Sequence, residues 1–73
     1  MMSAPATDQT IEAKVLEVLA GLGMAHLLSE DGTVYGINRQ TPGVVFDELR
    51  PGQRVRCEVT RRFGRVIHAT LVE

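Results

Sequence analysis

The sequence is poor in rings: its 73 residues include one tyrosine, two phenylalanines and no tryptophan. A surface that grips its ligand by stacking has little to draw on here. Cysteine is nearly absent as well. Cys57 stands alone, which excludes a disulfide scaffold and a cysteine metal cage, and its place in an alternating apolar pattern marks it as a buried, inert thiol of a reducing compartment. No apolar run is long enough to span a bilayer, and the opening MMSAPATDQT has no basic stretch leading into an apolar one. A cytoplasmic chain with no membrane partner is therefore expected. Lysine is scarce too, Lys14 being the single one, so the basic charge is almost entirely arginine.

What is present suits one small domain. The formal net charge is -1 and the hydrophobic fraction 44%, values that indicate neither disorder nor membrane insertion. Charge is unevenly spread. Up to Asn38 the chain carries Lys14 against Asp8, Glu12, Glu17, Glu30 and Asp31, whereas Arg39, Arg50, Arg54, Arg56, Arg61, Arg62 and Arg65 follow against Asp47, Glu48 and Glu58 before the last residue, Glu73. Arginine forks suit phosphate and carboxylate alike. The plain reading is a solvated face with internal ion pairs.

Small and polar residues with Pro5 make positions 1–10 a flexible tail, leaving 11–73 as the folded domain. The run IEAKVLEVLAG fits two periods: Ile11, Val15, Val18, Leu19 and Leu22 share one side of a helix, while Ile11, Ala13 and Val15 also alternate with Glu12 and Lys14. GLGMAHLL and TVYGIN flank Glu30-Asp31-Gly32 and read as a hairpin. A long connection with two Pro-Gly breaks follows, at Pro42 and Pro51. Gln53 to Arg62 places Val55, Cys57 and Val59 on one face, Phe63-Gly64 turns the chain, and Arg65 to Val72 places Ile67, Ala69 and Leu71 on one face. With Ile11 to Ala20 extended, the count is five strands with the long interval after the third. That pattern predicts an all-β, five-stranded antiparallel Greek-key OB-fold barrel, which closes its edges; closure decides between the two readings of IEAKVLEVLAG.

Ala20-Gly21-Leu22-Gly23-Met24-Ala25 keeps the glycine spacing of the first nucleic-acid motif of cold-shock domains but replaces both of its rings. Val34-Tyr35-Gly36-Ile37 matches the second motif with only the aromatic retained, and Phe46-Asp47-Glu48-Leu49-Arg50-Pro51-Gly52-Gln53-Arg54-Val55 reproduces the family's Phe, Leu, Gly-Gln and Val spacing. The chain thus resembles a divergent cold-shock domain over residues 11–72. The resemblance implies a nucleic-acid-binding face made of Leu22, Met24, His26, Tyr35, Ile37, Asn38 and Phe46. Alternation would then turn Ala25, Leu27 and Val34 inward. Arg39 and Arg56 are the expected phosphate contacts, Tyr35 and Phe46 the stacking rings, and His26 a hydrogen-bonding group.

With so few rings, the expected function is weak, sequence-tolerant binding of single-stranded RNA or DNA. The alternative keeps the fold and makes the same apolar strip a docking surface for a protein partner or a second copy in a homodimer. No enzyme is expected: His26 and His68 are the only imidazoles, no nucleophile or carboxylate is spaced to orient either, and no metal set or cofactor loop is present.

Overall fold

The structure is a computed structural model that describes residues 9–60 and 64–72. Five strands run β1 (Gln9–Leu19), β2 (Met24–Ser29), β3 (Val34–Asn38), β4 (Arg54–Thr60) and β5 (Arg65–Val72). They form one antiparallel sheet in the order β3-β2-β1-β4-β5. Short 3-10 turns occupy Ala20–Leu22 and Phe46–Glu48, and among the described residues there is no α-helix. The sheet curls into a half-barrel whose end strands, β3 and β5, come into contact. The connection after β3 helps to close that seam, because the Ala69 N–H donates to the Pro42 carbonyl at 3.0 Å.

The concave face holds the core: Ala13 and Val15 from β1, Ala25 and Leu27 from β2, Ile37 from β3, Val55, Cys57 and Val59 from β4, and Ala69 from β5. Phe46 and Leu49 of the long connection enter the same core. β1 is the central strand, and it explains the two periods in its sequence. Ile11, Ala13 and Val15 point inward in steps of two; a bulge at Leu16, where Val15 pairs with Leu27 and Glu17 with His26, adds one residue and makes the next inward step Val18. An inserted residue turns a step of two into a step of three, which in sequence imitates a helical stripe. The bulge is tied down on its other side, since Val15 N–H donates to the Gln53 carbonyl and Gly52 N–H to the Val15 carbonyl, both at 2.8 Å.

Several expectations need correction. β1 starts at Gln9, which pairs with Val59, so Gln9 and Thr10 belong to the sheet rather than to a tail; residues 1–8 lie outside the described residues. β2 starts at Met24, and Leu22 stands in the turn before it, where Gly23 takes the left-handed conformation at φ 67°. The phase of β3 is opposite to that expected. Ala25 faces Ile37 and Leu27 faces Tyr35, so Ile37 and Tyr35 share the inner face with them while Val34 is 55% exposed. In β5 an irregular register opposite Glu58 and Val59 pairs Val59 with Val66, and it is Val66, not Ile67, that packs on the core. Arg61, Arg62 and Phe63 lie outside the described residues.

Two turns show what the sequence supplies locally. Between β2 and β3, the Ser29 N–H donates to the Thr33 carbonyl at 2.9 Å and the Gly32 N–H to the Ser29 carbonyl at 3.0 Å. The Asp31 carboxylate accepts from the Ser29 hydroxyl and from the Thr33 N–H, and these bonds, the hydroxyl first, hold its pKa below the usual carboxylate value. In the long connection Gly43 has φ 99°, and a Cβ there would sit 2.1 Å from the Ala69 carbonyl oxygen and under 3 Å from the His68 ring. Only glycine permits that approach.

Candidate functional site

The convex face of the sheet is the exposed one, and strand register fixes which side chains share it. Across β3 and β2, Asn38 lies opposite Met24, Gly36 opposite His26, and Val34 opposite Leu28. β1 continues these rows with Leu19 beside Met24, Glu17 beside His26 and Lys14 beside Leu28. Lys14 is in turn paired with Arg54 of β4, and Glu12 with Arg56. One row therefore runs Val34, Leu28, Lys14, Arg54 across four strands, apolar at one end and cationic at the other. Leu28, Lys14 and Arg54 line a common open depression together with Glu12 and Glu30.

The expected residues divide into three groups. Met24, 40% exposed, and His26 do stand on the convex face, and Leu22, 72% exposed, projects from the adjoining turn. The turn brings Leu22 to a second shallow depression shared with Asn38 and Arg39. Asn38 is partly committed to its own loop, its Oδ1 accepting from the Gln40 N–H at 2.7 Å and its N–H donating to Thr41 Oγ1 at 3.0 Å.

Ile37 and Phe46 are corrected outright: they are 3% and 6% exposed and belong to the core. Ile37 is buried because its register partner is the fully buried Ala25. Phe46 is buried because the connection carries it into the core that the strands enclose. Tyr35 is half-buried against the core beside Leu27 and reaches the surface at another depression, lined by Thr10, Ile11, Glu12 and the Ser29–Asp31 turn. Neither Tyr35 nor Phe46 therefore lies on the convex face of β2 and β3.

The arginines are also redistributed. Arg39 donates from Nη1 to Asp47 Oδ1 at 2.9 Å and from Nη2 to the Ala20 carbonyl at 3.4 Å, and its guanidinium carbon lies 4.7 Å from the centroid of the Phe46 ring. It clasps the β1–β2 turn to the connection. Arg56 donates to Glu12 at 3.3 Å. Lys14 and Arg54, by contrast, form no ion pair among the described residues. Lys14, Leu28 and Val34 were missed in the sequence because the row joining them to Arg54 crosses four strands. The alternation of Arg54 and Arg56 with Val55 and Cys57 was its one legible part.

His26 is held from the side. Its Nδ1 lies 2.7 Å from Glu17 Oε2, the geometry of an Nδ1–H donating to a carboxylate, and Nε2 has no hydrogen-bond partner among the described residues. Elsewhere, Cys57 is fully buried and burial pushes its thiol up to about 11. Among the described residues no group of three or more His, Cys, Asp or Glu side chains is placed to hold a metal ion, and no helix is long and apolar enough to cross a membrane. Comparison with protein-family models, curated proteins and solved structures returned no match.

Proposed function

We propose that this chain is a small cytoplasmic OB-type Greek-key barrel of cold-shock character that binds single-stranded RNA or DNA weakly and with little sequence preference. The fold supports the reading through its strand order and through the long connection that follows β3. The observation that carries it is the row Val34, Leu28, Lys14, Arg54, in which apolar side chains and cations with no ion-pair partner among the described residues lie side by side on one convex surface. Bases rest on Met24, Leu28 and Val34 through dispersion and area, while Lys14 and Arg54 meet phosphates. Weakness follows from the burial of Phe46 and the half-burial of Tyr35, since each aromatic stack forgone is worth about 1–3 kcal/mol.

Titration of a fluorescent oligonucleotide at low and raised salt tests this. Binding at low salt that weakens as salt rises is expected, and the salt slope should fall by about one for each of Lys14→Ala and Arg54→Ala. A lack of binding at low salt would remove the proposal. The exposed Leu16, Leu22 and Met24 around the β1–β2 turn favour a second reading, a docking surface for a protein or for another copy of the chain. Sedimentation that depends on concentration without any oligonucleotide would select it.

A further inference from the structure

Gly36 stands in the middle of β3 with no structural need to be glycine. Its φ lies outside the left-handed region, and a Cβ built on it meets nothing within 4 Å, in contrast to Gly43. Glycine within a strand costs stability because it orders a freer chain and packs no side chain, so a strand glycine without a backbone or packing reason marks a place where something approaches the sheet closely. Register sets that place opposite His26, with Val34 and Asn38 along the strand and Met24 and Leu28 on the diagonals. The result is a gap in the convex face, floored by peptide and rimmed by side chains. Glu17 orients one member of the rim: its Oε2 holds His26 through Nδ1 at 2.7 Å, and Nε2 has no hydrogen-bond partner among the described residues.

We propose that the gap over Gly36 seats one base of the bound strand, the ring lying on the Gly36 peptide between Met24 and Leu28, with His26 Nε2 accepting a hydrogen bond from a base N–H. The inference rests on the reading of the convex face as a strand-binding surface and adds to it a specific seat. A planar group fits where a side chain would obstruct it. Every base carries an amino or imino N–H at its edge, so such a seat discriminates little among sequences.

Gly36→Ala and Gly36→Val test the seat, each measured by thermal melting and by oligonucleotide titration beside the wild type. Both variants are expected to melt at or above the wild-type temperature, Val most clearly because it favours strands. Both are expected to bind at least about threefold more weakly, a fraction of one base contact, with the salt slope unchanged because no charge is removed. His26→Ala should weaken binding in the same way. Wild-type affinity in Gly36→Val would overturn the seat while leaving the strand-binding reading intact, and a melt below wild type in both variants would overturn its premise. A wild type that binds no oligonucleotide at low salt would defeat the underlying reading and the seat with it.

Discussion

Arg39 follows directly on the β2–β3 hairpin, and by sequence it reads as a phosphate contact; in the fold its guanidinium is engaged by Asp47, the Ala20 carbonyl and the face of Phe46. Such a side chain contributes through packing and polarity at a junction rather than through an open charge. Arg39→Ala should therefore lower stability by about 1 kcal/mol, read as a shift in the urea midpoint, and leave the salt slope of oligonucleotide binding unchanged. Cys57 makes a second statement at this scale. Burial raises its thiol from the ordinary 9.0 to about 11, so the folded chain holds that proton more tightly than the unfolded one. The contribution is complete below pH 9 and is lost as pH climbs toward 11, amounting to roughly 2–3 kcal/mol. Denaturation of wild type and Cys57→Ala across that range should show the wild-type advantage shrinking with rising pH.

The strand β4 was legible almost to the residue because simple alternation governs it, and Val55, Cys57 and Val59 are all buried as alternation requires; in β5 alternation gave Ala69 and Leu71, but the irregular register opposite Glu58 and Val59 puts Val66 in the place expected for Ile67. β1 and β3 were not, for separate reasons. The bulge at Leu16 broke the period of β1 and gave it a helical look that only pairing with β2 and β4 resolves. In β3, a strand of five residues, one face carries Tyr35 and Ile37 and the other Val34, Gly36 and Asn38, so each offers a branched side chain to the core and the choice falls to register with Ala25 and Leu27. The connection between β3 and β4 was read as a long link with two Pro-Gly breaks, and what that reading lacked is that it supplies Phe46 and Leu49 to the core and closes on β5. Its closeness to β5 rests on Gly43. Gly43→Ala must shift the Ala69 carbonyl and the His68 ring as well as adopt a positive φ, and it should cost about 2 kcal/mol or more in a denaturation measurement.

For the molecule as a whole, curling the sheet sorts its side chains into a sealed concave face and a mixed convex one. The residues that a ring-based comparison would put on the convex face, Ile37 and Phe46, are used to fill the concave one. In their place the convex face offers Met24, His26 and Leu28 beside Lys14 and Arg54, which neighbour one another only through the pairing of β2 with β1 and of β1 with β4. Linear sequence carries no direct mark of such a cross-strand row, which is why Lys14 went unread beside the apolar strip while the all-β, five-stranded antiparallel class did not. The central claim, that a nucleic-acid strand lies on this convex row, is tested most directly by mapping amide shifts of the labelled protein as a short single-stranded oligonucleotide is added at low salt. Shifts gathered on Lys14, Met24, His26, Leu28, Gly36 and Arg54 are the predicted result; an unchanged spectrum, or shifts confined to the Tyr35 end of the barrel, would contradict it.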